Sequence, residues 1–204
     1  MDSNIINSFL FHPRKSYQEM GQKDILIEVG DSVQVGIRFH LISQSAPTIL
    51  FFHGNGEIAP EYDDIAQVYN KKHMNFIISD FRGYGFSSGL PTVENTQEDS
   101  HIILDFVLHY IKEESMSGDL LLMGRSLGSV SVLELTKRYP FDFKGLIIES
   151  GFADEEPLFQ LIGTTAQQAG FSKEDGFLNE EKIQMYDGPL LLIHAEEDHI
   201  VPFN

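Results

Sequence analysis

The chain has 204 residues, of which 42% are hydrophobic, and this composition indicates one globular domain with a substantial core. Its 31 acidic and 14 basic residues give a net charge of -17, which argues against binding to nucleic acid. Cysteine is absent, so disulfides, thiolate metal sites and a cysteine nucleophile are excluded.

Neither the N-terminus nor any internal run has the pattern of a targeting or membrane segment. Residues 1–7 lack a basic region followed by an apolar run. No apolar run approaches the ~18 residues that a membrane helix needs. We therefore expect a cytoplasmic protein without a signal peptide or a transmembrane segment.

The first predicted element is an antiparallel hairpin. Two β-rich runs, at 25–29 and 33–41, are separated by a turn that begins at Gly30. Apolar and polar side chains alternate along the second run. This period of two predicts a half-buried pair of strands.

After the hairpin, strand and helix patterns alternate. Apolar runs predict strands at 48–52, 75–79, 119–123, 145–149 and 189–194, and helical periodicity lies at about 62–73, 92–114 and 127–139. Ile65, Val68 and Tyr69 are expected to form the buried face of the first helix. The alternation predicts right-handed crossovers and a mostly parallel, doubly wound sheet. Residues 153–187 lack a strand pattern, and we interpret them as a short helical cap or lid inserted in a single domain of residues 1–204.

The strongest chemical motif surrounds Ser126. Gly124, Arg125, Ser126, Leu127 and Gly128 form a Gly-x-Ser-x-Gly turn between an apolar strand and a helix. Such a turn holds a nucleophilic serine above the sheet, and the glycines remove side chains that would collide there. We expect Ser126 to be the nucleophile and the Leu127 N–H to face an oxyanion.

Two further strand ends supply candidate site residues. A glycine-rich loop at 53–57 follows the first buried strand, and we expect the Asn55 N–H to be the second oxyanion donor, with Gly54 or Gly56 as alternatives. His53 in this loop is interpreted as a structural hydrogen-bonding residue. Asp198 follows the last predicted strand, where an acid can orient a histidine.

Taken together, these motifs resemble those of compact serine hydrolases of the α/β-hydrolase superfamily, in the branch that shares features with serine aminopeptidases and prolyl-oligopeptidase-like esterases. The resemblance rests on five blocks in the family's order, at 53–57, 80–89, 124–129, 149–152 and 193–202. It implies that Ser126 is the nucleophile, Asp198 the triad acid, and Leu127 and Asn55 the oxyanion donors. Asp80 and Arg82 would be structural, and no chemical role falls to Glu149 or Ser150. No metal or organic cofactor is implied.

The chain departs from the family pattern at the catalytic histidine. That residue is expected several tens of residues after the acid, whereas the sequence ends six residues after Asp198. His199 adjoins Asp198, and none of the other histidines occupies the family's position (His12, His40, His53, His73, His101, His109 and His194). We expect a truncated piece of a longer enzyme that lacks the C-terminal strand and helix. The alternatives are a rearranged base and a pseudo-enzyme.

The expected function is hydrolysis of an ester, thioester or amide through an acyl-enzyme on Ser126. The rival hypothesis is a non-catalytic interaction protein on the hydrolase scaffold. An exposed sheet edge, left by the absent strand, would favour a homodimer. An apolar acyl pocket is expected from Phe152, Leu158, Phe159, Leu161 and Ile162, and a ring of acids that disfavours anionic acyl groups is expected from Glu57, Asp154, Glu155, Glu156, Glu196 and Glu197.

Overall fold

The computed structural model describes residues 7, 10–30, 32–161 and 163–203, and these residues form a seven-stranded mixed sheet with helices on both faces. The strands are β1 (Asp24–Gly30), β2 (Val33–His40), β3 (Thr48–Phe52), β4 (Asn75–Ser79), β5 (Leu120–Arg125), β6 (Leu146–Glu149) and β7 (Leu190–Ile193). The prediction that there is no signal peptide rests partly on residues 1–6, which lie outside the described residues. Ile162 of the expected acyl pocket also lies outside them.

The sheet order is β1-β2-β4-β3-β5-β6-β7. Strands β1 and β2 pair antiparallel, as do β2 and β4, whereas β4, β3, β5, β6 and β7 run parallel. The expected α/β-hydrolase architecture, with its mostly parallel sheet and N-terminal antiparallel hairpin, is confirmed. Because parallel neighbours end at the same edge, the loops after β3, β5, β6 and β7 meet there.

The helices are α1 (Asp63–Lys71), α2 (Val93–Glu113), α3 (Gly128–Glu134), α4 (Glu156–Leu161) and α5 (Asn179–Gln184). Short 3-10 turns occur at Ala59–Tyr62, Leu135–Arg138 and Lys173–Asp175. Thr92 begins α2 with a capping box, in which its hydroxyl accepts from the Asn95 N–H at 3.1 Å and the Asn95 carboxamide accepts from the Thr92 N–H. Within the described residues, no helix is long and apolar enough to cross a membrane.

The buried face of α1 differs from the prediction. Ile65 and Val68 are 43% and 58% exposed, whereas Ala66 is fully buried. The helix instead turns Ala66 and Tyr69 toward the sheet, and the Tyr69 ring stacks on Phe76 with centroids 4.5 Å apart. The Tyr69 hydroxyl donates to the Met123 sulfur at 3.5 Å, and the large ring occupies the interface in place of the smaller aliphatic residues.

Strand β2 is also buried more completely than an alternating pattern predicts. Its polar residues Arg38 and His40 are buried because α1 packs over that face. Arg38 donates to Asp24 on β1 at 2.7 Å and to Asp63 on α1 at 2.7 and 2.9 Å. The alternating pattern places Arg38 on the solvent side, but its charge is buried and is compensated by these ion pairs. The prediction of a half-buried strand is therefore wrong for β2.

The core lies on the two faces of the central strand β3. Ile49 and Phe51 pack on the α1 side, while Leu50 and Phe52 pack on the side of α2 and α3. Because helices cover both faces, the continuous apolar run of β3 is buried throughout. The doubly wound arrangement is therefore confirmed.

Residues 153–187 contain α4, a 3-10 turn and α5, and no strand lies among their described residues. Phe159, Phe171 and Phe177 from this segment are buried in the same core cluster as the sheet residues. Helix α5 packs on α3. Its role as a cap or lid within a single domain stays a prediction.

Strand β7 lies at the free edge of the sheet and is the least covered strand. It pairs with β6 on one side, and all four of its side chains are exposed, Leu192 by 63%. An apolar strand with open backbone groups is a template for pairing with another chain.

Candidate active site

The turn at Ser126 has the strained geometry expected of a serine held above the sheet. Ser126 follows β5 directly with φ at +48°, a left-handed value that non-glycine residues rarely adopt. Its N–H donates to the Glu149 carbonyl at 2.9 Å, and its carbonyl accepts from the Ser129 N–H and hydroxyl at 2.9 and 2.6 Å. The surrounding backbone therefore holds this conformation from both sides.

The two glycines of the turn are required by close backbone approach. A Cβ on Gly124 would lie 2.3 Å from the Gly128 carbonyl oxygen, and a Cβ on Gly128 would lie 1.9 Å from the Phe52 carbonyl oxygen. Real Cβ atoms do not approach backbone oxygens so closely. The sequence pattern around Ser126 thus reflects the packing of α3 against the ends of β3 and β5.

Leu127 lies at the N-cap of α3, with its side chain buried in the core. Among the described residues, its N–H donates to no protein group. An N–H at this position is one of the unpaired donors of a helix start. It is therefore available to an anionic oxygen formed next to Ser126.

The loop after β3 contains three N–H groups that the sequence left as alternatives, and their partners separate them. The Gly54 N–H donates to the Glu57 carboxylate at 2.7 Å, and the Gly56 backbone hydrogen-bonds the Tyr84 hydroxyl. In the part of the chain that the structure describes, the Asn55 N–H has no protein acceptor. Of the three, Asn55 is the one left free to bind a ligand oxygen.

The Asn55 side chain fixes this loop to its surroundings. Its amide oxygen accepts from the Tyr84 hydroxyl at 2.6 Å and the His12 N–H at 2.8 Å. Its amide nitrogen donates to the Leu10 carbonyl at 3.0 Å. The N-terminal segment at residues 10–12 therefore helps to orient the Asn55 backbone.

Asp198 follows β7 and is held as a carboxylate. Its Oδ1 accepts from the N–H groups of Val201 and Ile200, both at 2.9 Å. The hydrogen bonds from Val201, Ile200 and the Ser150 side chain keep the pKa of Asp198 below its usual range. An acid that stays ionised can orient and polarise a histidine.

Ser150 is a residue near the site for which sequence reasoning found no role. It follows β6 as Ser126 follows β5, with φ at +47°, and its N–H donates to the Ile193 carbonyl at 2.8 Å. Its side chain hydrogen-bonds Asp198. The sequence signal that could have identified Ser150 is its position directly after a strand, which matches the position of Ser126 after the neighbouring strand.

No histidine ring of the described residues hydrogen-bonds the Ser126 hydroxyl. The His194 Nε2 atom donates to the Val201 carbonyl at 2.8 Å and lies 3.7 Å from the Asp198 Oδ2 atom. His53 is fully buried, with its two ring nitrogens 2.8 Å from the Gly54 carbonyl and 3.2 Å from the Asp80 carboxylate. His53 thus has the contacts of a structural residue.

The expected acyl pocket is mostly core. Phe152 and Phe159 are buried in the main cluster, and Leu158 packs against it. Leu161 is exposed and lines a shallow cleft of about 150 Å³ beside the segment after Asp198, together with Pro157, Gln160, His199, Ile200 and Pro202.

Glu155 is buried rather than part of an acidic ring around the site. Its carboxylate accepts from the Phe177 N–H at 2.7 Å. Burial raises its pKa above the usual range for a glutamate. Its proposed place at the mouth of the site is therefore wrong, because the carboxylate supports the loop between α4 and α5 instead.

Comparisons with known proteins give a family match and a shared fold. A family described as serine aminopeptidase, S33, matches residues 43–173. Protein bem46 of Schizosaccharomyces pombe is 29% identical over 166 residues, which are 78% of this chain and 54% of that protein. An esterase of Pyrococcus furiosus has a TM-score of 0.68 at 18% identity and covers 95% of this chain and 79% of its own.

A further structural neighbour is Est1E of Butyrivibrio proteoclasticus with bound ferulic acid. Its TM-score is 0.66 at 18% identity, with coverage of 88% of this chain and 81% of its own. At these identities the structural likeness concerns the fold. The chain spans about half the length of the curated relatives that it matches, 54% for bem46.

Proposed function

Because the chain belongs to the serine aminopeptidase S33 family of α/β hydrolases, we propose that it is a serine hydrolase acting on a carboxylic ester, thioester or amide through an acyl-enzyme on Ser126. The observation that carries the proposal is the left-handed Ser126 turn between β5 and α3. Strain of about 1–3 kcal/mol persists where the surrounding structure enforces it, and it is typical of functional turns.

The chemistry would proceed in two acyl-transfer steps. The Ser126 hydroxyl attacks the carbonyl carbon as a base takes its proton, and the resulting oxyanion accepts from the N–H groups of Leu127 and Asn55. Collapse breaks the bond to the alcohol, thiol or amine, which leaves with the proton from the base. Water then attacks the acyl-enzyme by the same route and releases the acid.

Asp198 would orient the base, which in this chemistry is a histidine between the acid and the serine. Support for its role comes from its ionised state and from three donors that fix its carboxylate. None of the described histidines bridges Ser126 and Asp198. The proposed mechanism therefore requires a further histidine between these two residues.

The named neighbours support acyl chemistry and leave the substrate open. One is an esterase and another binds ferulic acid, a carboxylic acid. We therefore propose that this chain acts on a carboxylic acyl substrate, and we name no particular acid. No cofactor enters these steps, and a cytoplasmic location remains our expectation.

The proposal is tested with a fluorophosphonate probe, which reacts with activated serines. The protein at its full encoded length should be labelled, and Ser126→Ala should lose at least about 90% of the label, because the acceptor oxygen is gone. Ser45→Ala, at an exposed position in the loop before β3, is the matched control and should retain labelling. Equal labelling of the wild type and Ser126→Ala would refute the assignment.

The second candidate is a non-catalytic interaction protein on the same scaffold. Two observations favour it: no described histidine ring contacts Ser126, and the β7 edge is exposed and apolar. It predicts no probe reaction at any length of the chain, together with a partner bound at β7. The labelling experiment separates the two candidates directly.

A further inference from the structure

Three charged side chains beside Ser126 are not used by the proposed chemistry. Arg125 lies between two carboxylates, with its Nη1 atom 3.4 Å from Glu57 Oε1 and its Nε atom 3.9 Å from Glu149 Oε1. We call this set the Glu57–Arg125–Glu149 bridge. Each member adjoins part of the site: Glu57 ends the Asn55 loop, Arg125 precedes Ser126, and Glu149 supplies the carbonyl that accepts from Ser126.

Glu57 has contacts that fix the loop containing Asn55. Its Oε2 atom accepts from the Gly54 N–H at 2.7 Å, and the Glu57 N–H returns to the Gly54 carbonyl at 3.3 Å. The carboxylate and the backbone N–H of Glu57 thus close the turn around Asn55 together. A charge-assisted bond of this length is stronger than a neutral one.

The carboxylate is anchored in turn to the core. The Tyr62 hydroxyl donates to the same Oε2 atom, and the Tyr62 ring packs on Phe51 with centroids 4.8 Å apart. Burial and the Glu57 hydrogen bond raise the pKa of Tyr62, so the phenol stays protonated and remains a donor. The Glu57 carboxylate is therefore held in place by the packed Tyr62 side chain.

A carboxylate two residues from an oxyanion donor creates an electrostatic problem. Its negative charge would repel the oxyanion that forms on the Asn55 N–H, because the two groups lie on the same short loop. Arg125 lies on the opposite oxygen of Glu57 and carries a permanent positive charge. The bridge thus allows an acid to shape the loop while its charge is offset.

We propose that Glu57 is a positioning residue for the oxyanion loop and that Arg125 compensates its charge during acyl transfer. This inference rests on the proposed function. Glu57 acts through the Gly54 N–H, which it withdraws from ligand binding, and through the resulting orientation of the Asn55 N–H. Arg125 acts through Glu57, and it couples the nucleophile turn to the loop after β3.

The first test measures ester hydrolysis by the full-length protein. Glu57→Ala should lower kcat about tenfold with little change in KM, because a misdirected donor weakens transition-state binding more than substrate binding. Glu57→Gln should recover part of the loss, since its amide oxygen still accepts from Gly54. Glu113→Gln, at the exposed end of α2, is the control and should match the wild type. Wild-type kcat in Glu57→Ala would overturn the proposal.

A double-mutant cycle tests the charge compensation. Arg125→Met should lower kcat when Glu57 is present, because the carboxylate is then unpaired. In a Glu57→Gln background the same change should have less than half of that effect on the free-energy scale. A purely structural role for Arg125 predicts an equal loss in both backgrounds, and that result would overturn this part of the proposal.

Amide hydrogen exchange provides a readout that is independent of catalysis. The Gly54 N–H should be protected in the wild type and should exchange about tenfold faster or more in Glu57→Ala, since its hydrogen bond to the carboxylate is removed. Unchanged exchange would overturn the positioning role even in an inactive protein. If the wild type fails to react with the fluorophosphonate probe while exchange responds as expected, the proposed function fails, and only the role of Glu57 in holding the Gly54 N–H stands.

Discussion

At the scale of single residues, the proposed nucleophile Ser126 has a strained backbone. Its φ of +48° is unfavourable for any residue with a Cβ atom, and hydrogen bonds to Glu149 and Ser129 hold it in place. This backbone conformation presents the Ser126 hydroxyl above the sheet. Stability and nucleophile placement are thus opposed at this one position.

We expect Ser126→Gly to be more stable than Ser126→Ala by about 1 kcal/mol, because glycine adopts a left-handed φ without a steric penalty. Both variants remove the hydroxyl, so the difference isolates the backbone strain. Urea unfolding of the two proteins measures it. Equal free energies of unfolding would show that the Ser126 turn stores no such strain.

Glu155 gives a residue-scale prediction about pH. Burial raises its pKa in the folded protein, so the folded state binds the proton more tightly than the unfolded state does. Its contribution to the free energy of unfolding is therefore fully present below the unfolded pKa and is lost as pH rises through the folded pKa.

Glu155→Gln should keep an acceptor for the Phe177 N–H and remove this titration. The free energy of unfolding of the variant, measured by urea from pH 4 to 8, should rise relative to the wild type as pH increases. Glu174→Gln, at an exposed position in the 3-10 turn Lys173–Asp175, is the control. A difference that does not change with pH would contradict the buried assignment.

Some site residues could be predicted from local sequence and others could not. Ser126 and Leu127 lie where the Gly-x-Ser-x-Gly pattern predicts them, because the steric demand of that turn is local. Asn55 could only be separated from Gly54 and Gly56 once their acceptors were known. The Ser150 contact to Asp198 joins two strand ends 48 positions apart, and no sequence pattern encodes that contact.

At the scale of elements, apolar runs identify strands well and identify faces less well. Strands β3 and β4 begin and end where the runs predict, because both are covered by helices on two sides. The alternating pattern of strand β2 predicted too little burial. The ion pairs of Arg38 with Asp24 and Asp63 bury a charged face, and their partners are distant in sequence.

Glu134 connects three helices through its ion pairs. From the end of α3 it pairs with His101 on α2 at 3.1 Å, with Lys182 on α5 at 2.7 Å, and with Lys137. Although burial disfavours its charge, hydrogen bonds from His101, Lys137 and Lys182 hold the pKa of Glu134 below its usual value. This stabilisation is present above the unfolded pKa and is lost as pH falls through the folded pKa.

Glu134→Gln should lower the free energy of unfolding by about 2 kcal/mol at neutral pH, because Lys182 loses a largely buried counter-charge. Urea denaturation measures the loss, with the exposed Glu98→Gln on α2 as control. The two proteins should converge in stability in acid. A loss below about 0.5 kcal/mol at neutral pH would indicate that packing alone holds α5 to α3.

At the scale of the whole molecule, the exposed β7 edge predicts a homodimer of the 204-residue chain. Two copies related by a twofold axis would pair their β7 strands antiparallel and join the sheets. Because each copy carries a net charge of -17, screening the repulsion should strengthen the dimer as salt increases. Sedimentation velocity measures the dissociation constant.

Leu191→Lys should weaken this dimer at least about tenfold, since it places a charge in an apolar strand contact. Leu90→Lys, in an exposed loop, is the matched control and should dimerise as the wild type does. A protein that is monomeric at all concentrations and salt levels would exclude pairing of two copies through β7.

The position of β3 at the centre of the sheet has a consequence for synthesis on the ribosome. One neighbour, β4, is made about 25 residues after β3, but the other neighbour, β5, is made about 70 residues later. At about 5–20 residues per second, the open side of an apolar strand waits several seconds for its partner. The codons between β4 and β5 therefore set how long the nascent chain can aggregate, and slow translation of α2 should lower the yield of folded protein.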